Sequence, residues 1–270
     1  MSESADPIIR LVDVHKAFNG LSVLRGVSLD IPRGKTTVVI GPSGCGKTVL
    51  MRHVVGLLRP DKGKVYFDGT DITSLNERQM VPFRRRVGFL FQSNALFDSM
   101  TVAENVNFPQ TEHGIHDRER LARRCREVLR LVGLDGTQEQ MPEELSGGQK
   151  KRVALARAIA LGPEVLLYDE PTTGLDPIRA DLINELILKL QAELKTSALV
   201  VTHDMASARK VGSRIVMLHE GKLIADATPD ELDTIDNATV KQFIQGQASP
   251  QELAEMREGR FSSLTPSPSN

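Results

Sequence analysis

Gly41-Pro42-Ser43-Gly44-Cys45-Gly46-Lys47-Thr48 joins three glycines, a lysine and a hydroxyl in the spacing G-x-x-x-x-G-K-[ST]. That spacing suits the holding of phosphate. Glycines let successive N–H groups, from Gly41 through Val49, turn into one concavity. A helix starting at the loop adds its dipole to the attraction of an anion. Lys47 supplies a point charge for the terminal phosphates, and Thr48 a hydroxyl ligand for Mg²⁺. The flanks fit. Thr36-Thr37-Val38-Val39-Ile40 reads as a strand, and Val49 to Leu58 as a helix. Strand, glycine loop and helix in that order mark a P-loop. A thiol in such a nest is expected to ionise more readily than usual, which makes Cys45 a candidate reactive cysteine.

Further along, Val165-Leu166-Leu167-Tyr168 is an apolar strand ending in Asp169 and Glu170. Beside a P-loop, Asp169 is placed to hold Mg²⁺, directly or through water. Glu170 is placed to polarise the attacking water as a general base. Leu145-Ser146-Gly147-Gly148-Gln149 precedes a helical run, Lys150 to Leu161. Ser146 can cap that helix, and the two glycines expose backbone donors at its start. The chain thus carries two anion-binding helix starts. Either one chain brings both to a nucleotide side by side, or two chains sandwich each nucleotide. Gln92 ends the strand Val87 to Phe91 and is a candidate ligand for Mg²⁺ or water. Gly174-Leu175-Asp176-Pro177 is a turn by composition. His203 follows the strand Ala198 to Thr202 and could meet a terminal phosphate.

These residues need a scaffold, and its outline is legible. Ile8 to Phe18 and Leu21 to Ile31 read as strands joined at Asn19-Gly20, a two-residue hairpin signal. Val65-Tyr66-Phe67 with Asp68-Gly69 reads as a second hairpin, and Thr73 to Gln79 as a short helix. Residues 93 to 160 are expected to be mostly helical. Within them Leu121, Cys125, Val128, Leu129 and Val132 recur at helical spacing, so Cys125 should face a core. Ile178 to Leu194 is a long amphipathic helix, and Ile215 to Leu218 a further strand before the turn Glu220-Gly221. Strands alternating with helices predict an α/β fold with a mainly parallel sheet, a small antiparallel β subdomain and an inserted helical subdomain. Residues 1–7 read as a tail. Residues 247–270 read as an extension, with a helix from Pro250 to about Glu258 and a Ser- and Pro-rich stretch from Phe261.

Composition narrows the function. The chain has 270 residues, is 40% hydrophobic and carries a net charge of −1. That balance argues against a nucleic-acid footprint over the whole surface. Two cysteines in unrelated contexts suggest no disulfide framework and a reducing compartment. Met1 to Pro7 lacks the apolar run of a signal peptide, and no segment approaches a membrane span. A membrane role must come through a partner.

The order of the motifs from about Ile8 to Gly246 resembles that of the ATP-binding-cassette (ABC) ATPases, with Leu145-Ser146-Gly147-Gly148-Gln149 matching their signature. The resemblance implies a P-loop NTPase fold and MgATP hydrolysis. It implies that Gln92 is the Q-loop residue, Asp176 the D-loop acid, His203 the switch histidine and Phe18 the aromatic that stacks on adenine. It further implies a homodimer holding two ATP between head-to-tail subunits, each site joining one P-loop to the other chain's Ser146 region. Finer matches run through Phe91-Gln92-Ser93 to Val106, Met141-Pro142-Glu143-Glu144-Leu145, Lys47-Thr48-Val49-Leu50 and Thr202-His203-Asp204-Met205. They resemble the ATPases of Mla- and Mce-type lipid transporters. Those work at the cytoplasmic face of the inner membrane with an integral permease and a periplasmic Mce-domain protein, sometimes with a small STAS-domain partner. Asn94, where Gly is expected, and Gln110, where Leu is expected, depart from the pattern. The alternatives are the ATPase of a permease for another solute, or a non-transport ABC ATPase. Translation types usually carry two cassettes in one chain, where this sequence has one, and repair types carry a long coiled coil between P-loop and signature, where residues 49–145 have no heptad run of that length.

Overall fold

A computed structural model describes residues 6–248 together with Leu253, Ala254, Arg257 and Glu258. The tail expected at 1–7 falls largely outside the described residues. So does most of the helix expected from Pro250 and all of the stretch from Phe261.

β1 (Ile9–Phe18) and β2 (Leu21–Ile31) pair antiparallel about Asn19-Gly20. Both turn residues have left-handed φ, 48° and 82°, which matches the twist of a two-residue hairpin. β4 (Lys62–Phe67) and β5 (Thr70–Asp71) complete a sheet of order β2-β1-β4-β5. The second sheet contains β3 (Thr36–Ile40), β6 (Val87–Leu90), β7 (Val165–Asp169), β8 (Ser197–Val201), β9 (Arg214–His219) and β10 (Lys222–Ala227). Its order is β10-β9-β3-β8-β7-β6. All neighbours are parallel except the antiparallel edge strand β10.

The central parallel strands β3, β7 and β8 are buried on both faces, as helices and a second layer require. Val38, Ile40, Leu166, Tyr168, Val200 and Met217 point into one core. Val39, Leu167, Leu199, Val201, Val216 and Leu218 point into the other. The first core is shared with α3 (Val102–Glu112), α4 (Arg118–Leu131), α5 (Gly147–Ile159), α6 (Pro177–Leu194) and α7 (Met205–Val211). The second is closed by the antiparallel sheet and by α1 (Lys47–Val54) and α2 (Glu77–Arg84). Cys125 lies in the first core, as its spacing predicts. α8 (Ala238–Gln245) follows β10.

Several helix boundaries differ from expectation, α5 among them at Gly147–Ile159 rather than Lys150 to Leu161, and two have a clear local cause. α1 stops at Val54 rather than Leu58, because Gly56 turns left-handed (φ 64°) and bonds back to the His53 carbonyl. α2 starts at Glu77 rather than Thr73. Asn76 accepts from Gln79 N while the Gln79 side chain accepts from Asn76 N, a reciprocal cap that sets the start. Thr73 instead bonds Asp71 and Val65 in a turn.

One core histidine has a measurable consequence. His53 on α1 is 1% exposed. Its Nδ1–H donates to the Val49 carbonyl at 2.7 Å, and Nε2 has no partner. Burial lowers its pKa from the ordinary 6.5. The unfolded chain therefore binds a proton that the folded chain refuses. Stability is whole above pH 6.5 and falls as pH drops below it. His53→Gln is expected to flatten this part of the stability–pH curve. Chemical denaturation at pH 7.5 and pH 5.5 checks it, and an equal loss in both proteins would refute it.

Candidate functional site

The C-terminal ends of the parallel strands gather the chemistry, the usual place for a ligand in such sheets. β3 runs into the glycine loop, β7 ends at Asp169, and β8 leads to Thr202 and His203. In register, Asp169 faces Val201, and Val201 faces Val39.

The loop's glycines are needed. A Cβ on Gly41 (φ 149°) would lie 2.1 Å from the Leu218 carbonyl oxygen. Gly46, the N-cap of α1, has φ 104° and sits against Val23 and Leu24. Lys47 is buried, and its Nζ donates to the carbonyls of Gly41 at 2.7 Å and Pro42 at 2.9 Å. The ammonium is thereby held within the curl of the loop. Ser43 and Gly44 are exposed at the tip, and Pro42, Thr48 and Val49 are half-buried. Cys45 departs from expectation. Burial raises its thiol pKa, outweighing the opposing pull of Lys47 and the backbone amides.

Thr48 Oγ1 donates to Asp169 Oδ1 at 3.3 Å. Burial raises the Asp169 pKa, while the Thr48 bond opposes that shift. A hydroxyl beside a carboxylate is a hard oxygen pair, the kind Mg²⁺ accepts alongside water and phosphate oxygens. Among the described residues no group of three His, Cys, Asp or Glu side chains could hold a metal by themselves. A site completed by phosphate fits this donor set.

Glu170 is nearly buried and has a left-handed backbone, φ 50°. Such a conformation costs about 1–3 kcal/mol and persists only where the surroundings impose it. They do so here. Glu170 N bonds to the Val201 carbonyl at 2.9 Å, and Thr173 N to the Glu170 carbonyl at 3.2 Å. The carboxylate Oε2 accepts from His203 Nδ1 at 2.9 Å and from Thr173 Oγ1 at 3.3 Å. Because a carboxylate only accepts, His203 must carry its proton on Nδ1, which leaves Nε2 facing other partners.

The remaining candidates lie apart from this cluster's bonds. Gln92 is exposed two residues beyond β6, and among the described residues no hydrogen bond ties it to Thr48 or Asp169. Phe18 ends β1, is 41% exposed, and has Lys16 Nζ 5.5 Å from its ring centroid. Asp176 caps α6 by accepting from Arg179 N. Ser146 caps α5, with Gln149 completing a reciprocal cap. Ser146 and Gly147 are exposed, and a Cβ on Gly147 or Gly148 would meet nothing within 4 Å. Thr173 and Lys151, whose Nζ reaches the Thr173 carbonyl at 3.4 Å, were not singled out by the motifs. Thr173 had a signal, its position three residues after Glu170. Lys151 had none, since Lys150-Lys151-Arg152 reads as a solvated helix face.

Residues 24–173 match the family model described as ABC transporter. The chain belongs to this family. Other ABC proteins resemble it over most of its length. The "Probable ribonucleotide transport ATP-binding protein mkl" of Mycobacterium leprae is 39% identical over 238 residues, 88% of this chain and 69% of that one. The "Intermembrane phospholipid transport system ATP-binding protein MlaF" of Haemophilus influenzae is 41% identical over 223 residues, 82% of this chain and 84% of that one. The ABC cassette MJ0796, solved as a post-hydrolysis dimer bound to ADP and Pi, superposes with a TM-score of 0.76 at 33% identity. It covers 82% of this chain and 98% of its own. The P-loop NTPase fold expected of an ABC ATPase is the fold observed.

Proposed function

We propose that this chain is the ATP-hydrolysing subunit of an ABC transporter moving lipid, most simply phospholipid, between an inner membrane and the outer envelope. The observation that carries the ATPase is the Thr48–Asp169 and Glu170–His203 pair of contacts beside the P-loop. Lys47 and the loop amides hold the phosphates. Thr48 and Asp169, with Gln92, hold Mg²⁺, which when bound neutralises charge on the phosphate oxygens. Glu170 takes the proton of the attacking water. His203 contacts the terminal phosphate, and Phe18 stacks on adenine. The lipid substrate rests on the similarity to MlaF and on the segment from Phe91 to Val106.

Each nucleotide is sandwiched between two copies of the chain. Gly147 and Gly148 support this reading. Neither has a left-handed φ, and neither is crowded by its own chain. Their lack of side chains serves something outside the chain, and a partner's phosphates are the ligand a bare helix start suits. Asp176, exposed at the next turn, lies in the segment placed to meet the partner. The permease docks on the cytoplasmic side, and an Mce-domain protein and a STAS-domain protein are further candidate members of the complex. Among the described residues no helix is long and apolar enough to cross a membrane.

Phe97 is the proposed permease anchor. It is 40% exposed, with its ring tilted against Phe108 at 4.6 Å between centroids and the Arg157 guanidinium 5.8 Å from its centroid. Its backbone is held by Asn105, which bonds both its N–H and its carbonyl. Phe97→Ala is expected to leave the subunit's melting temperature and ATP affinity near native. It should weaken recovery with the permease by about 2 kcal/mol or more, roughly 30-fold. Purification from detergent-solubilised membranes, with identification of co-purifying proteins and lipids, tests both claims. A large drop in melting temperature with undiminished recovery would reject Phe97 as the anchor. A complex bearing another solute and no lipid would reject the substrate.

A further inference from the structure

Lys151 is an anomaly. It lies on α5, five residues past Ser146, yet is only 2% exposed. An ammonium carries three donors, and among the described residues the one acceptor it reaches is the Thr173 carbonyl at 3.4 Å. Burying a cation so poorly bonded is costly unless a nearby anion offsets it. Burial accordingly lowers the Lys151 pKa, and the Glu170 carboxylate is the charge that opposes the shift. The lysine points toward the segment that follows Glu170, not toward solvent.

The contacts continue in one direction. Lys151 Nζ donates to Thr173 O, Thr173 Oγ1 donates to Glu170 Oε2, and His203 Nδ1 donates to the same oxygen. No protein group among the described residues donates to Glu170 Oε1. One carboxylate oxygen is thus pinned and the other left for water. The pin is anchored on α5, the helix whose first turn presents Ser146, Gly147 and Gly148. A helix moves as a rigid rod over so short a span, about 8 Å at 1.5 Å per residue.

We propose that Lys151 and Thr173 are positioning residues that aim the Glu170 carboxylate, and that they make its aim depend on where α5 sits. This rests on the reading of Glu170 as general base. A partner's nucleotide engaging Ser146 would then set the geometry of hydrolysis in the chain that owns Ser146, linking the two sites of a dimer through buried side chains.

The test uses the full chain and steady-state MgATP hydrolysis, with Glu170→Gln as reference. Thr173→Val removes the hydroxyl at constant shape, and Thr173→Ser keeps it. Lys151→Met removes the charge at similar volume. Thr173→Val and Lys151→Met are expected to lower kcat by about 10–10²-fold, the scale of a misaimed reacting group, with KM for ATP little changed. Thr173→Ser should stay near native. The double variant should be no worse than the poorer single, and neither change should slow Glu170→Gln further. Native kcat in Thr173→Val, losses that multiply, or losses that persist in the Glu170→Gln background would overturn the proposal. Should Lys151→Met fail to fold, Lys151→Leu, which likewise removes the donor, replaces it under the same criteria. Near-native hydrolysis by Glu170→Gln would instead remove the base itself and the proposal with it. An inactive Glu170→Gln beside a fully active Thr173→Val would overturn the positioning alone.

Discussion

Glu170→Gln is expected to bind MgATP about as well as the native chain and to hydrolyse it about 10²–10⁴-fold more slowly. The substitution is nearly isosteric. It leaves the left-handed backbone at position 170 and its bond to the Val201 carbonyl in place. A side-chain oxygen remains to accept from His203 Nδ1 and Thr173 Oγ1. An amide has no comparable capacity to take a proton from water. Lys47, Thr48 and Asp169 still hold the nucleotide, so ATP-bound dimers should accumulate. Size-exclusion chromatography with bound-nucleotide analysis measures that species, and single-turnover assays measure the chemical step. A purified variant that hydrolyses ATP at close to the native rate would show that another group is the base.

The second large effect concerns who completes each site. Ser146→Arg places bulk and charge at a helix start that is exposed on its own chain. Lys47→Ala removes the charge held inside the loop. Each homodimer then has two damaged sites and should occlude no ATP. In a mixed dimer built across the interface, one site carries both lesions and the other carries neither. The mixed dimer is expected to occlude one ATP, where the native dimer occludes two. If both halves of a site came from one chain, every site in the mixed dimer would keep a lesion and none would occlude. Co-expression with two different tags isolates the mixed species, and counting occluded nucleotide separates the alternatives.

Much of the site was legible because its residues act through local order. The glycine loop, the Asp169–Glu170 pair and Ser146 each sit at the end of a strand or the start of a helix, where short-range patterns are strongest. The buried strands were legible for the same reason. Their central positions are apolar on both sides because both faces are covered. What escaped depended on distance. Val55-Gly56-Leu57-Leu58 is apolar enough to continue α1, and only the left-handed turn at Gly56 ends it. β10 draws its order from pairing with β9, and its own run alternates weakly. Cys45 was misjudged because the local nest lowers a thiol pKa while enclosure by the rest of the fold raises it, and enclosure wins. Lys151 was invisible because a cation in a basic run looks solvated until Thr173 is packed beside it.

Gly147 and Gly148 are unconstrained by their own chain, and that has a consequence for anyone selecting improved variants. Glycine near a helix start is replaceable at a gain of up to about 1 kcal/mol when nothing crowds the new Cβ. The isolated subunit should therefore tolerate Gly147→Ala and melt no lower, and even slightly higher. If Gly147 and Gly148 face a second chain's nucleotide, as proposed, a screen that ranks variants by heat resistance would promote the very changes that obstruct it. For this pair of positions the folding of one copy carries no information about fitness, and only an assay of the assembled pair can see the defect.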